Sequence, residues 1–557
     1  MSPRDLNDSK RSESGYFTPL RGIASFENLV ALANYQERLK EARKRVWRDR
    51  GEPVVELDEL STCINHAVSG GFRAGGLAFA IRALVNLVLA LVRIRRLPRN
   101  VRIRVVLHAL FGLDTWRFAA MLGTFSSTYK FLLNALPILA PSIMPSSREP
   151  FYDLEKGSAL SVDYDAEPAA TPNHTSSSRR PRLSLSTRAR LVLIRKRTRK
   201  WHAALAGAVA GALAIGFETK SRRKLISQQL FVRGLQGTWN AYSTRWGIKI
   251  PHGDILLFSA ACAQIMYAFI LRPDTLPWSY NAWIQSASMV PVEGVRINRN
   301  MYLDHTVKDL TDIDAIVALP TTTAKNATHL LSLRHKLATG QTEGVYIPPY
   351  GPCAAIHPAV DRCPTLQVHR FVQVFRWMLP IYGALHLVPA LLFRRHAFMK
   401  HPGAMLRRSA VGTLRSSAFL GTFVVICQAL FCFKHHLHRV LSALSPKSEL
   451  RALLPQICID ALVSKASIMM MGLSTGFALL VEEKRRRGEL AMYVLPKALE
   501  SAWVMAQGKG WVFRTRGFGD VLLTSWAMGM MMSEYQNAPQ NLSGIVRRIL
   551  YQFIGPN

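Results

Sequence analysis

Two stretches of this 557-residue chain share one pattern: RFAAMLGTF at 117–125 and RSSAFLGTF at 415–423. In both, four residues separate an arginine from Leu-Gly-Thr-Phe, and the motif stands at the start of an apolar block. Each block is long enough to cross a bilayer, which takes about 17–25 residues of helix. A shared motif at the start of two such blocks indicates an internal duplication in a membrane-spanning chain.

Two further matches follow in the same order along the chain. Gly253-Asp254-Ile-Leu-Leu opens one apolar block, and Gly519-Asp520-Val-Leu-Leu opens another. A third match lies between the Leu-Gly-Thr-Phe motif and the Gly-Asp motif in both parts of the chain; it has no gap and includes charged positions. It aligns Glu218, Lys220, Arg222, Arg223, Arg233, Leu235 and Trp239 on Glu482, Lys484, Arg486, Arg487, Lys497, Leu499 and Trp503. Three ordered matches favour duplication over chance similarity of apolar segments.

Eight apolar blocks have approximately the length of a membrane span. They lie at 74–92, 118–140, 201–217, 252–271, 374–393, 411–433, 466–481 and 517–533. The predicted fold is therefore an all-α integral membrane protein made of two related halves with about four transmembrane helices each. An even number of spans per half gives both halves the same orientation, as in transporters built from parallel repeats.

Polar stretches divide the chain into six predicted regions. One of them is a linker at 141–200, which ends in Arg179–Lys200. This stretch has ten basic residues and no acidic one, a composition typical of disorder. The regions are a polar N-terminal segment (1–60), a first-half membrane region (61–140), a disordered basic linker (141–200), the continued first half (201–290), a polar, turn-rich region between the halves (291–352) and a second-half membrane region (353–557).

The formal charge of +35 is concentrated at the ends of the apolar blocks, where basic side chains meet lipid headgroups. No nucleic-acid-binding signature accompanies it, so nucleic acid is not expected as a partner. The expected partners are membrane lipids, a second copy of the chain or other organelle membrane proteins. The seven cysteines are scattered singly and form no disulfide framework. Residues 1–20 are polar and lack a signal peptide, so insertion is expected to use internal signals.

Several polar residues lie within or at the ends of predicted spans. Arg82 and Asn86, one turn apart inside the first block, should face protein or water, because polar groups in lipid are costly. Asp254 and Asp520 begin equivalent blocks, and helix capping is favoured for them over a role in a membrane-embedded site. Arg117 and Arg415 mark span entrances, where their side chains can extend to the headgroups.

Small residues predict close helix packing. Ala203, Gly207 and Gly211 recur every fourth residue of one block, a spacing that lets two helix backbones approach closely in a membrane. The glycines of the two Leu-Gly-Thr-Phe motifs, Gly123 and Gly421, are expected to act similarly.

Cys353, His357 and Cys363 form a loose group before the second half, with His369 nearby. Zinc sites commonly have tighter cysteine pairs, so no metal is predicted, and the first three remain candidate ligands. His435, His436 and His438 resemble one fragment of a di-iron histidine box, but such a site needs ligands from several segments. No nucleophile elbow, phosphate-binding loop or metalloprotease helix is present, so the sequence predicts no enzyme, no catalytic residue and no cofactor.

Several of these stretches together resemble the transmembrane protein 135 family. The resemblance rests on His66 with GGFRAGG at 70–76, on Trp201-His202 and the Gly/Ala-rich span after it, on Cys353, His357-Pro358 and Cys363, and on Leu-Gly-Thr-Phe at 420–423 preceded by His401-Pro402-Gly403. It covers most of 63–545 apart from the linker. Gly403 departs from the pattern, because family members often have cysteine after His-Pro.

The resemblance implies a peroxisomal or mitochondrial membrane protein linked to lipid handling, fat storage and the balance of mitochondrial fission and fusion. It also implies a distant similarity to the mitochondrial inner-membrane translocase family, and it transfers no catalytic residue. The leading expectation is a non-enzymatic organelle membrane protein that supports lipid homeostasis and peroxisome or mitochondrial dynamics. The alternative is a transporter or pore for a metabolite or lipid between the two halves. A membrane lipid enzyme is disfavoured because no catalytic constellation assembles.

Overall fold

The computed structural model describes residues 57, 59–94, 98–139, 200–304, 307, 309–339, 350–393, 395–444, 454–515 and 517–555. Every regular element in these ranges is helical, which confirms the all-α part of the predicted fold. The predicted N-terminal segment, except for its last few residues, and the predicted basic linker, except for Lys200, lie outside the described residues.

The described residues form nineteen α-helices. In chain order they are α1 (Leu60–Ile94), α2 (Arg99–Phe111), α3 (Leu113–Leu139), α4 (Lys200–Ile215), α5 (Lys220–Arg245), α6 (Gly253–Leu271), α7 (Trp278–Ser288), α8 (Val292–Asp304), α9 (Thr311–Val317), α10 (Ala324–Ala338), α11 (Cys353–Ile356), α12 (Cys363–Phe393), α13 (Arg395–Lys400), α14 (Pro402–Ala443), α15 (Gln456–Ala461), α16 (Lys465–Ser474), α17 (Lys484–Gly508), α18 (Gly519–Asn537) and α19 (Gly544–Ile554). Short 3₁₀ turns cover Pro273–Thr275, Thr475–Val481 and Pro539–Asn541.

Five of these helical segments are long and apolar enough to cross a membrane: Leu60–Leu91, Asn100–Leu139, Gly253–Leu271, Cys363–Val388 and Pro402–Ala443. They coincide with five of the eight predicted spans and indicate a multi-pass integral membrane protein. The other three predicted spans differ. The two at 201–217 and 466–481 form only shorter apolar helices. The third, at 517–533, lies in α18, which has 19 residues but a mean hydropathy too low for a membrane span.

The described residues fall into two compact units. The first unit holds 57–242 and 518–555, and the second unit holds 243–517. The boundary predicted between the halves, at 291–352, therefore does not separate the units. The helix α6, predicted as the last span of the first half, lies in the second unit, and α18, predicted as the last span of the second half, lies in the first.

Small residues set the packing inside the first unit. The glycines of α1 lie against α3, so that a Cβ added to Gly123 would be 3.1 Å from the carbonyl oxygen of Gly71. The small-residue stripe of α4 lies against α18: Ala203 is fully buried, and a Cβ on Gly207 would lie 2.6 Å from the carbonyl oxygen of Met528. A Cβ on Gly211 would lie 2.7 Å from the Met528 side chain. The stripe is thus used within the chain.

In the second unit, α6 is the central helix. The span Gly253–Leu271 is 67% buried, whereas Cys363–Val388 is 28% buried, so α6 is largely surrounded by protein. A Cβ on Gly472 of α16 would lie 2.8 Å from the Cα of Ala263 in α6. Gly421 of α14 faces Phe371 of α12, where a Cβ would be 2.9 Å from the ring.

The region 291–352, predicted to be polar and turn-rich, contains α8, α9 and α10. These helices enclose a small core, and its buried members include Ile297, Met301, Ile313, Ile316 and Leu330. Helix α10 begins at a Thr323 cap, whose hydroxyl accepts a hydrogen bond from the N–H of Asn326 at 3.3 Å. Each helix is short and amphipathic, which is why its apolar residues form no continuous block in the sequence.

We expect Gly207→Ala to destabilise the protein, because the new methyl group meets a backbone oxygen of α18 that cannot move alone. Overpacking of this kind costs about 1–3 kcal/mol. The matched control is Gly76→Ala on α1, where the added methyl group has open space and helix propensity alone should give a small gain. Thermal unfolding of the purified protein in detergent compares the two. Equal unfolding temperatures would contradict the close approach of α4 and α18.

Candidate functional site

Helix α14 combines an apolar span with a buried polar face. Seven of its polar side chains are buried: Thr413, Ser416, Ser417, Gln428, Lys434, His435 and His438. At 1.5 Å per residue the set extends over roughly 37 Å of helix. Polar groups in a membrane span turn towards protein because lipid offers them no partner. The face of α14 therefore gives the second unit a polar interior.

Two basic side chains within this interior have neutral hydrogen-bond partners among the described residues. The guanidinium of Arg370, on α12, donates to the carbonyl oxygen of Met289 (2.7 Å) and to the side-chain oxygens of Gln373 (3.0 Å) and Gln428 (3.1 Å). The Nζ of Lys434 donates to Ser467 Oγ at 2.7 Å.

Both side chains are buried, with residue exposures of 6% for Arg370 and 7% for Lys434. The Nζ of Lys434 also lies 5.1 Å from the centre of the Tyr302 ring. Among the described residues, no carboxylate lies within 4 Å of either cation. Arg370 and Lys434 are thus buried basic side chains without an acidic partner among the described residues.

One end of the polar face is closed by a buried glutamate. Ser416 Oγ donates to Glu482 Oε2 at 2.8 Å, and the guanidinium of Arg486 lies 3.6 Å from the same carboxylate. Arg486 Nη1 also contacts Ser416 Oγ and His386 Nε2, both at 3.1 Å. Here the cation is paired, in contrast to Arg370 and Lys434.

The other end is aromatic. The rings of Tyr350 and His435 stack with centres 4.1 Å apart, and the Tyr350 hydroxyl donates to the carbonyl oxygen of His435 at 3.1 Å. Tyr302 Oη lies 2.6 Å from His435 Nε2. Burial raises the pKa of Tyr302, so its hydroxyl remains protonated. His435 thus packs among tyrosines, while His436 is exposed. No second histidine group joins them in the described ranges, so the fragment of a di-iron box remains isolated.

The first unit contains an ionic network. Arg222 bridges two carboxylates, at 2.8 Å to Glu218 and 3.1 Å to Asp114. Arg82 lies 3.7 Å from Asp114, and Asn86 donates to Thr115 Oγ1 at 3.2 Å. Arg82 and Asn86, predicted to avoid lipid, thus have partners near the start of α3. The Glu218 side chain is 1% exposed and that of Asp114 55%, so Glu218 is the buried anion of the network.

The remaining polar candidates lie where the structure gives them simple roles. Asp254 is in the first turn of α6 but is not the capping residue, which is His252; its Oδ1 accepts a hydrogen bond from the N–H of Ile255 at 3.0 Å. Asp520 likewise lies in the first turn of α18 and is not its capping residue, which is Phe518. A negative charge in a first turn is favoured by the helix dipole. Arg117 and Arg415 are exposed, and their extension to lipid headgroups stays a prediction.

The cysteine and histidine candidates come together, and a fourth residue joins them. Cys353, His357, Cys363 and Cys432 place one ligand atom each within 4.8 Å of one another. Cys432 lies on α14, far along the chain from the other three, and no spacing pattern could have connected it to them. His369 is exposed and is not in the group.

Comparison of the chain with protein families, with curated proteins and with solved structures gives no match. The function of this chain must therefore be inferred mainly from the geometry of its described residues.

The two carboxylates of the first-unit network should differ sharply in their effect on stability. We expect Glu218→Gln to cost about 3 kcal/mol, at the lower end for breaking a buried ion pair, because Arg222 keeps Asp114 as a partner. Asp114→Asn should cost only about 0–1 kcal/mol, since exposed pairs contribute little. Thermal unfolding in detergent measures both, and a larger loss for Asp114→Asn would contradict this assignment.

Proposed function

We propose that this protein is a membrane transporter that conveys an anionic metabolite or lipid, and that it thereby supports lipid homeostasis in a peroxisomal or mitochondrial membrane. The observation that carries the proposal is the pair of buried cations, Arg370 and Lys434. They lie on α12 and α14, both long and apolar enough to span a membrane, and neither has a carboxylate within 4 Å among the described residues.

The energetics of buried charge favour an anionic solute. Removing a cation from water costs several kcal/mol unless a partner of opposite charge compensates. Neutral hydrogen-bond acceptors and aromatic rings compensate in part. A carboxylate or phosphate that enters the interior would supply the missing charge, and its binding would relieve a cost already present in the protein. Ionisable groups in membrane spans are for this reason candidates for a solute path.

We further propose that the chain consists of two duplicated halves that exchange their last spans. Support comes from matching contacts at the aligned charged positions, Glu218, Arg222 and Arg223 in one half and Glu482, Arg486 and Arg487 in the other. In each half the arginine four residues after the glutamate pairs with its carboxylate, at 2.8 and 3.6 Å. The next arginine donates its Nε–H to the glutamate carbonyl oxygen, at 2.7 and 3.1 Å.

The exchange is supported by a second pair of equivalent contacts. With Glu218 aligned on Glu482 and Asp254 on Asp520, Ala208 corresponds to Gly472 and Ala263 to Gly529. In the second unit a Cβ on Gly472 would lie 2.8 Å from the Cα of Ala263. In the first unit a Cβ on Gly529 would lie 3.4 Å from the Cβ of Ala208. The last span of each half thus packs on the third span of the other.

The organelle and the lipid connection rest on the resemblance to the transmembrane protein 135 family. The proposal is non-enzymatic because the sequence contains none of the catalytic motifs sought. The basic loops and the apolar outer faces of α1 and α12 suit membrane lipids as surroundings.

Transport can be tested with Lys434→Met, which removes the charge while nearly preserving side-chain volume. Protein in liposomes would be assayed with three probes: a fluorescent anionic phospholipid, a long-chain fatty acid and a dicarboxylate. We expect the unaltered protein to move at least one probe and the variant to move it about tenfold more slowly or less, a loss of about 1.4 kcal/mol. The unfolding temperature should stay equal or rise, because an uncompensated buried charge is lost.

The matched control is Arg439→Gln, which removes an exposed cation from the same helix and should leave both transport and stability unchanged. Failure of all three probes to move, or normal transport by Lys434→Met, would refute the proposal.

Localisation tests the membrane and organelle assignments separately. An internally tagged copy should colocalise with peroxisomal or mitochondrial markers and stay in the pellet after alkaline extraction, because several apolar helices cross the bilayer. Residence in the secretory pathway would refute the organelle, and release by alkali would refute insertion in a membrane.

A further inference from the structure

Three thiols and one imidazole in the second unit have the geometry of a metal site. The ligand atoms of Cys353, His357, Cys363 and Cys432 all lie within 4.8 Å of one another. His357 Nε2 is 3.4 Å from Cys363 Sγ. In a tetrahedral zinc site, with Zn–S of about 2.3 Å and Zn–N of about 2.0–2.1 Å, the sulfur–nitrogen edge is about 3.6 Å. The observed separation is close to that edge.

The histidine is held so that one nitrogen faces the sulfurs. His357 Nδ1 lies 2.7 Å from the carbonyl oxygen of Val360, an acceptor that fixes the proton on Nδ1. The other nitrogen, Nε2, is then unprotonated and directed at Cys363. A hydrogen bond from the distal nitrogen to a carbonyl oxygen is the usual support of a metal-binding histidine.

The loop that carries His357 is itself fixed. The side-chain amide of Asn326, on α10, donates to the carbonyl oxygens of His357 (3.3 Å), Pro358 (3.0 Å) and Val360 (3.3 Å). His357 is 2% exposed and Cys432 4% exposed, whereas Cys353 and Cys363 are half-buried, so two of the four side chains lie away from solvent. Three carbonyl oxygens of this loop therefore converge on one amide. The convergence positions the histidine.

We propose that Cys353, His357, Cys363 and Cys432 bind one Zn²⁺. Three thiolates and one imidazole make up a ligand set found in structural zinc sites, and four protein ligands leave no open position for a substrate. The ion would join α11 and the first residue of α12 to α14. The sequence expectation of no metal rested on the spacing of three residues and could not include the fourth ligand. None of the four residues is one of the buried cations, and zinc content is measured without a transport assay, so the two proposals can fail separately.

Elemental analysis of the purified full chain tests the site. We expect about one zinc per chain, since a closed site of this kind binds zinc tightly. Cys432→Ser should lose at least nine-tenths of the zinc. The matched control is Cys427→Ser on the same helix, which lies outside the cluster and should retain all of it. Absence of zinc in the unaltered protein, iron in its place, or equal zinc in both variants would overturn the proposal.

A second variant covers the case in which Cys432→Ser fails to fold. His357→Cys converts the set to four cysteines, which also bind zinc, so it should keep the metal and fold, whereas His357→Ala should lose the metal. Replacement of zinc by Co²⁺ should give the absorption of tetrahedral cobalt thiolate in His357→Cys and not in His357→Ala. A strong chelator should lower the unfolding temperature of the unaltered protein. Loss of metal in His357→Cys, or no effect of the chelator, would overturn the proposal.

Discussion

The structure depends on one constraint: a charged or polar side chain in a membrane span must find its partner inside the protein, because lipid supplies none. This constraint places the polar face of α14 inward and leads the arginines of the first unit to Asp114 and Glu218. It also explains why the Arg82 side chain, in the middle of an apolar helix, contacts the start of α3. The same constraint makes a buried cation without an acidic partner a candidate for a solute path, because lipid supplies no opposite charge and burial of an unpaired cation is costly.

Close helix approach results from the same surroundings. Without a hydrophobic force between spans, packing contacts and interhelical hydrogen bonds of side chains hold the helices, and small residues bring backbones together. Gly207 against Met528 and Gly472 against Ala263 place α4 on α18 and α16 on α6. These are the contacts by which each unit takes in a helix from a distant part of the chain. Neither unit is therefore one half of the chain as the repeated motifs had suggested.

The sequence predicted features that depend on local composition. Apolar blocks located five spans, and the spacing of Gly207 and Gly211 identified a packing face. The sequence did not predict three features of the structure. The amphipathic helices at 292–338 lack a long apolar run, the placement of α6 and α18 depends on contacts between distant segments, and Cys432 joins Cys353 only after α14 has folded against α12. Spacing along the chain carries no information about such pairings, so the metal ligands could be gathered only in three dimensions.

The Leu-Gly-Thr-Phe motifs relate the buried cations of the two units. Five residues after the motif's phenylalanine stands Lys130 in α3 and Gln428 in α14. Lys130 is buried, lies across Gly70 of α1 and contacts His66 at 3.2 Å. Gln428 receives Arg370 from α12 at the corresponding level. In both helix pairs a buried cation thus lies at the level of the position five residues after the motif's phenylalanine. In the α1–α3 pair it comes from α3, and in the α12–α14 pair it comes from α12. Under the proposed duplication, the buried cation would have moved from one helix of the pair to the other, which is the pattern expected where positive charge itself is needed.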